Sequence, residues 1–209
     1  MHLFTRQATL DRDHVQEGLG YAVEIAEYVS EKTSLDVIPW ATVYGAPIGS
    51  VSWSSRVESQ AAMGAAQDAL LADPGFQERV TRNSRLFVGL AEDAIGEFVG
   101  FSGTGDTVRQ YASIVTAQCA AGKVTDAMAW GVDMMQYVGK LTGLDTSLVR
   151  GLYGPFATLV WISLADTLEQ VDAANAAMSG DATYLERLDQ AGDLFLPGSA
   201  AQRLVRRLA

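Results

Sequence analysis

The amino-acid sequence predicts an α+β protein built from two similar halves. The first observation is an internal repeat: a shift of 109 residues, which becomes 108 residues after Gly45, aligns the first half with the second. The second is that apolar residues recur at helical spacing in some segments and alternate in others. The third is a composition of 48% hydrophobic and 19% charged residues over 209 residues, which allows a sizeable core.

The matched residues agree in type as well as in position. Among the clearest pairs, with the first-half residue given first, are Tyr28 and Tyr137, Tyr44 and Tyr153, Trp53 and Trp161, Asp73 and Asp181, and Phe87 and Phe195. The alignment of roughly 80 positions needs only one gap of a single residue, at Ala46. Chance does not explain such agreement, so we infer a tandem duplication.

Each half is expected to run strand, helix, strand, strand, helix, short helix and strand. The strands alternate or are rich in β-branched and aromatic residues, while the helices are alanine-rich or carry apolar residues at helical spacing. Asp11 or Asp13 can cap the first helix, 45–47 forms a hairpin turn, and Asp73 before Pro74 is typical of a helix start. The expected first-half segments are 2–8, 15–29, 37–44, 48–55, 58–71, 74–82 and 86–89.

The second half is expected to repeat this order over 113–119, 123–141, 147–152, 156–163, 166–178, 181–190 and 194–196. We therefore expect a first ferredoxin-like half at 1–91, a connector at 92–110 and a second half at 111–209. The glycine-rich run in the connector predicts flexibility, because it lacks the Lys-Ser or Lys-Thr and the helix of a phosphate site. Arg203, Arg206 and Arg207 are expected near the end of a terminal helix, where cations favour the helix dipole.

Composition and charge exclude several classes of partner and site. A formal net charge of -10 argues against nucleic acid, because such binding depends on neutralising phosphates. No apolar run is long enough to span a membrane, and the first residues lack the apolar core of a signal peptide. A single cysteine, Cys119, agrees with a reducing, cytoplasmic location, and with only His2 and His14 as histidines no metal site is expected.

Two β-α-β-β-α-β halves in tandem, framed by matched Tyr-Gly-Pro turns and tryptophans, resemble the dimeric α+β barrel superfamily. That superfamily includes antibiotic-biosynthesis monooxygenases, NIPSNAP-like proteins and the haem-binding chlorite dismutases. The resemblance implies antiparallel sheets with helices outside, either as a monomer with an internal pseudo-twofold axis or as a homodimer. It does not favour haem, because the proximal histidine of chlorite-dismutase-like proteins lies in the second half, which has no histidine here. No cofactor is therefore expected.

Aromatic residues on the predicted strands are the candidates for a substrate-binding cavity. Trp53 and Trp161 lie at matched positions on the third strand of each half, and Trp40 lies on the second strand of the first half. Tyr44 and Tyr153 end the second strand in the two halves. The tyrosines have an alternative role in bracing the hairpin turn, since both halves keep them beside glycine and proline.

Candidate catalytic residues come from positions where the halves differ, together with one histidine. Arg150 aligns with Ala41, and Arg56 aligns with Leu164. An arginine on a strand can bind a carboxylate or phenolate through two hydrogen bonds, or it can be exposed at a sheet edge. His14 can act as a base near neutral pH, or it can be a surface residue at the start of a helix.

The resemblance and these residues together predict a cofactor-independent, monooxygenase- or cyclase-like enzyme that acts on a hydrophobic or aromatic small molecule. In this interpretation the tryptophans and tyrosines shape the cavity, and Arg56, Arg150 or His14 polarises or deprotonates the substrate. The alternative is a non-catalytic ligand-binding or protein-interaction module of NIPSNAP-like type, since one scaffold hosts many functions. A closed pocket of several hundred Å³, lined by Arg150 or Arg56 together with the tryptophans, would favour the enzyme, whereas a barrel filled by side chains would contradict it.

Overall fold

Two compact units make up the protein. The computed structural model describes residues 1–103 and 108–209. The first unit comprises Met1–Ile95 together with Arg206–Ala209, and the second comprises Gly96–Val205. In each unit, helices pack on one face of an antiparallel sheet.

The first unit has the strand order of a ferredoxin-like half. Its elements are β1 (His2–Leu10), α1 (Val15–Thr33), β2 (Ile38–Tyr44), β3 (Ser50–Val57), α2 (Gln60–Leu71), α3 (Pro74–Asn83) and the first part of β4 (Phe87–Ser102). Strand β3 lies between β1 and β2 and pairs antiparallel with both. The chain therefore passes from β1 through α1 to β2, and β3 then fills the gap between the two strands.

Helix α1 packs one face on this sheet. Its buried residues recur at helical spacing, as expected for an amphipathic helix: Gly18, Tyr21, Ala22, Ile25 and Ala26. The sheet side of the same core includes Ala8, Val51 and Trp53. These strand residues share one face because Ala8 is opposite Val51 in the β1–β3 register and Trp53 follows Val51 by two positions.

The second unit repeats this arrangement. Its elements are the rest of β4, β5 (Tyr111–Gln118), α4 (Val124–Thr142), β6 (Asp145–Gly151), β7 (Thr158–Ala165), α5 (Leu168–Gly180), α6 (Ala182–Gln190) and β8 (Ala201–Arg207). Strand β7 pairs antiparallel with β5 and with β6, and β6 also pairs with the part of β4 from Gly96 to Ser102. Strand β8 lies beside β5, where the Thr116 hydroxyl donates to the Ala201 carbonyl at 3.5 Å.

A tryptophan hydrogen bond ties the first helix of each unit to its sheet. The indole N–H of Trp53 donates to the Ala22 carbonyl at 2.8 Å, and the indole N–H of Trp161 donates to the Gly131 carbonyl at 2.9 Å. Each bond links the third strand of its unit to the long helix. The two bonds lie at positions that the sequence repeat aligns.

A second repeated contact fixes the start of the short helix. The hydroxyl of Tyr28 donates to Asp73 at 2.6 Å, and the hydroxyl of Tyr137 donates to Asp181 at 2.7 Å. Both aspartates also cap the helix that follows them through a backbone N–H. Each carboxylate therefore joins the short helix to the long helix of its own unit.

These repeated elements and contacts confirm the predicted fold class, an α+β protein of two ferredoxin-like units in tandem. The predicted helix start at Asp73 and Pro74 is also confirmed, since Asp73 caps α3 and Pro74 is its first residue. No helix among the described residues has the length and apolar character that crossing a membrane requires.

The prediction of a flexible connector at 92–110 is wrong for 92–102, which lies in strand β4. Glycine there serves close packing between strands, because a Cβ on Gly96 would lie 2.8 Å from the carbonyl oxygen of Arg150. The glycine-rich part of the connector at 104–107 lies outside the described residues. The boundaries 1–91, 92–110 and 111–209 themselves stay predictions.

The predicted terminal helix is also wrong, because 201–207 forms strand β8. Pairing beside β5 is a non-local interaction that overrides local helical preference. The closing strand predicted at 194–196 is reduced to one antiparallel bridge between Cys119 and Phe195. Strand β8 takes the place beside β5 that the shorter segment was expected to fill.

We expect Tyr28→Phe to destabilise the protein more at neutral pH than in acid. The hydrogen bond from Tyr28 is the largest cause that lowers the pKa of Asp73 below its ordinary value of 3.8. A lowered carboxylate pKa gives stability that is present above the ordinary value and lost as the pH falls through the lower one.

Thermal unfolding of wild type and Tyr28→Phe at pH 7 and at pH 3 measures this difference. The matched variant Tyr137→Phe should behave in the same way, because Tyr137 is the largest cause that lowers the pKa of Asp181. A loss of stability that is equal at the two pH values in both variants would contradict the assignment.

Candidate functional site

A cavity of about 320 Å³ lies in the first unit, between one face of its sheet and the helices α1, α2 and α3. Apolar and aromatic side chains form most of its wall, including Phe4, Tyr21, Ile25, Trp53, Phe76 and Phe87. Exposed residues of β4, among them Leu90 and Ala91, also line it, so the cavity reaches the protein surface there. Its volume lies at the lower end of the range for small-molecule sites.

Small side chains beneath α1 make room for this cavity. Ala26 of α1 lines it and is only 2% exposed, and Ile25 is its neighbour on the same helix. The aligned residues of the second unit are Met135 and Met134, which are also buried. Since the two helices are held to their sheets by the same kind of hydrogen bond, Met135, which is larger than Ala26, occupies more of the space beneath α4.

Aromatic packing strengthens the same contrast. In the second unit, Trp130 takes the position of Tyr21, and Phe195 meets Trp130 and Trp161 edge-on at centroid distances of 5.5 and 5.8 Å. In the first unit the corresponding contacts of Phe87 are 5.9 Å to Tyr21 and 6.2 Å to Trp53. The aromatic cluster is therefore larger and more tightly packed in the second unit.

One arginine of an ion pair lies on the cavity wall. Arg6, which lines the cavity from β1, donates from Nε and Nη2 to the two carboxylate oxygens of Asp93 at 2.7 Å each. This hydrogen bonding raises the pKa of Arg6 above its ordinary value, so the guanidinium stays charged. The residue aligned with Arg6 in the second unit is Val115, which carries no charge.

The hydroxyl of Tyr21 keeps its proton at neutral pH. Burial, with a smaller contribution from the negative charge of Glu24, raises the pKa of Tyr21 to about 12. A phenol with so high a pKa can donate and accept hydrogen bonds, but it stays protonated and therefore does not act as a base at neutral pH. Tyr21 therefore contributes an aromatic surface and a neutral hydroxyl to this part of the unit.

Of the residues predicted from the sequence, Trp53 lines the cavity. Its indole N–H is occupied by the Ala22 carbonyl, so Trp53 offers a ligand its ring face or edge. Trp40 is 7% exposed and donates to the hydroxyl oxygen of Ser54 at 2.9 Å. Trp40 stands opposite Ser52 in the sheet register, on the other face from Trp53.

The two predicted tyrosines lie at hairpin ends. Tyr44 is 70% exposed at the end of β2, and Tyr153 is 64% exposed just after β6. Trp161 belongs to the packed aromatic cluster of the second unit and donates to Gly131. None of these three residues is among those that line the cavity described above.

The three predicted catalytic residues lie at separate places in their units. His14 immediately precedes α1, where it contacts Glu17 and Arg85 at the surface. Arg56 lies on β3 opposite Leu3 of β1. Arg150 of β6 forms an exposed cross-strand ion pair with Glu97 of β4. The wall of the described cavity includes neither His14 nor Arg56.

Sequence reasoning missed Arg6 and Asp93. Arg6 lies between Phe4 and Ala8 on one face of an alternating strand, and its repeat partner is Val115. A charge on an otherwise apolar strand face, unmatched in the other half, is a signal that could have identified it. Asp93 was hidden because it falls in the segment expected to be a connector.

Metal-ligating side chains do not cluster in the described part of the chain: within 1–103 and 108–209, no three His, Cys, Asp or Glu residues lie together in a way that could hold an ion. Cys119, the one cysteine of the sequence, is buried in the second unit. Burial raises the pKa of its thiol, which favours the neutral form.

Solved proteins of very low sequence identity share the fold. A candidate monooxygenase from Fusobacterium nucleatum subsp. nucleatum matches 100% of this chain and 92% of its own, with a TM-score of 0.73 and 7% identity. A candidate monooxygenase from Lactobacillus acidophilus matches 100% of this chain and 94% of its own, with a TM-score of 0.67 and 9% identity. An anthrone oxidase-like protein matches 99% of this chain and 90% of its own, with a TM-score of 0.68 and 12% identity.

These similarities confirm the resemblance to the dimeric α+β barrel superfamily at the level of fold. Identities of 7 to 12% carry no information about individual site residues. At the level of sequence, no protein-family model and no curated protein matches the chain. The chemistry of the cavity must therefore be argued from its own side chains.

We expect removal of the Arg6–Asp93 ion pair to change stability little. The two side chains are 41% and 40% exposed, and ion pairs exposed to this degree contribute about 1 kcal/mol or less, because solvent screens them. Urea unfolding of Arg6→Met and Asp93→Asn should therefore give free energies close to that of wild type. A loss several times larger in both variants would show that the pair is held for folding.

Proposed function

We propose that the first unit binds a hydrophobic or aromatic small molecule in this cavity, and that the protein is a cofactor-independent, monooxygenase- or cyclase-like enzyme. The observation that carries the proposal is a cavity of about 320 Å³ with aromatic walls and one ion pair. Walls of this kind bury an aromatic ligand, and a few polar groups fix its orientation. A cytoplasmic location, expected from the single cysteine, belongs to the same proposal.

The names of the structural neighbours agree with this class of reaction. Two of them are candidate monooxygenases and a third is anthrone oxidase-like. Because a shared fold does not fix chemistry, these names only direct the choice of reaction to be tested. The cavity and its side chains carry the argument.

Arg6 is the residue best suited to assist such a reaction. A substrate acidic enough to lose a proton to the solvent forms a stabilised carbanion, which can react with oxygen without metal or flavin and shares its negative charge with a phenolic or ketone oxygen. The N–H groups of Arg6 can donate to that oxygen from the cavity wall. Apolar neighbours such as Phe4 and Trp53 exclude water, which strengthens this interaction.

The alternative is a binding protein without catalysis, as the NIPSNAP-like members of the superfamily would suggest. The state of the titratable groups favours it: Tyr21 keeps its proton, and the carboxylate of Asp93 is held by Arg6. Ligand binding in the cavity needs neither group to transfer a proton. Arg56, Arg150 and His14 stay predictions for a catalytic role.

A binding screen tests the proposed ligand class. Planar phenols, aromatic ketones and aromatic carboxylates are added to the wild-type protein, and the shift in the melting temperature is measured. Binding to the folded state alone raises that temperature, and the stabilisation grows with the logarithm of the ligand concentration relative to the dissociation constant. Haem serves as a comparison compound, and light scattering on the same samples distinguishes a monomer from a homodimer.

We expect Ala26→Met to abolish the ligand-induced shift. This substitution places in α1 the side chain that the second unit carries at the aligned position, and it fills the cavity from the helix side. Ala65→Met, which adds the same side chain to an exposed position of α2, is the matched control and should keep the shift. Equal binding by both variants would place the ligand elsewhere.

We expect Arg6→Met to lower the rate of oxygen uptake with a bound phenol or aromatic ketone by a factor of about 100. Loss of one hydrogen-bond donor to a developing oxyanion typically costs a factor of this size. An oxygen electrode measures the uptake, and product analysis identifies the oxidised carbon. Binding without any uptake or product across the panel would support the non-catalytic alternative.

A further inference from the structure

Only part of the Arg6 guanidinium is used by its ion pair. Nε and Nη2 donate to Asp93, and within residues 1–103 and 108–209 no other acceptor receives a hydrogen bond from Arg6. Arginine also carries N–H donors on Nη1, so the pair leaves donors for a further oxygen. Arg6 belongs to the cavity wall and Asp93 does not.

The charge of the guanidinium is already balanced. Asp93 binds it through both carboxylate oxygens at 2.7 Å. A ligand carboxylate that bound Arg6 would therefore approach an existing carboxylate. Like charges brought together in this way weaken binding, whereas a neutral carbonyl or phenol oxygen avoids that cost.

The Arg6–Asp93 ion pair is not among the contacts that recur in both units. The residue aligned with Arg6 in the second unit is the uncharged Val115, although the tryptophan bonds and the aspartate caps occur in both units. Arginine and aspartate thus occur together in the unit whose cavity they border. This agrees with a role in ligand choice rather than in folding.

We propose that the Arg6–Asp93 pair makes the cavity selective for neutral oxygen acceptors, such as the carbonyl of an aromatic ketone, over the corresponding carboxylates. This inference rests on the proposed binding function and defines its ligand class. Arg6 donates to the ligand oxygen, and Asp93 sets the charge that this oxygen can carry.

Two probes of the same shape test the selectivity: 2-acetylnaphthalene, which is neutral, and 2-naphthoate, which is an anion at pH 7. Isothermal titration with wild-type protein should show tighter binding of the ketone by about tenfold or more. In Asp93→Asn the affinity for naphthoate should rise by about tenfold, while the affinity for the ketone stays within about threefold. Retained ketone binding also shows that the variant is folded.

Glu92→Gln is the matched control, because it removes one negative charge from the next residue of β4 without touching the ion pair. It should change the affinity for naphthoate much less than Asp93→Asn does. Arg6→Met should bind the two probes weakly and should lose the gain that Asp93→Asn gives. Ala26→Met should block both probes.

The outcomes separate this inference from the function on which it rests. Equal affinity of wild type for the two probes, or an equal gain of naphthoate affinity in Glu92→Gln and Asp93→Asn, would overturn the selectivity while leaving the binding cavity intact. Absence of binding by either probe to the wild-type protein, or binding that Ala26→Met leaves unchanged, would overturn both.

Discussion

The hydrogen bond from the indole N–H of Trp53 to the Ala22 carbonyl sets the distance between α1 and the sheet of the first unit. The indole N–H of Trp53 is buried, and a buried donor without an acceptor is costly, so the bond holds the helix against the strand. The same bond recurs between Trp161 and Gly131 in the second unit. With the separation fixed in this way, the free volume beneath each helix depends on the neighbouring side chains, and Ala26 of α1 is smaller than Met135 of α4.

The residues of the two units therefore fall into two groups, those that both units keep and those that differ. The residues that both units keep, such as Tyr28 and Asp73 with Tyr137 and Asp181, join helices within a unit. The residues that differ decide whether the space is filled or left open. Arg6 belongs to the second group, and its ion pair with Asp93 is exposed to solvent, where such pairs add little to stability.

The sequence repeat predicted the order of elements because side-chain periodicity and turn residues are local signals, and Asp73 with Pro74 even located a helix start. The continuation of β4 beyond the predicted strand at 86–89 was missed because its glycines resemble a linker when the strand they pack against is unknown, as Gly96 shows. For the site, Trp53 could be nominated from alternation alone. Arg6 and Asp93 could not be paired, since 87 residues separate them and only the fold brings them together.

The last residues of the chain bear on how the cavity-bearing unit forms. Leu208 packs against the core that contains Trp53 and Leu86, and its backbone N–H donates to the Pro39 carbonyl at 3.0 Å. During synthesis the first unit begins to emerge from the ribosome before the second, yet its core lacks this contact until Leu208 has also been made. The unit that starts first is thus completed only after the residues of the second unit have been synthesised.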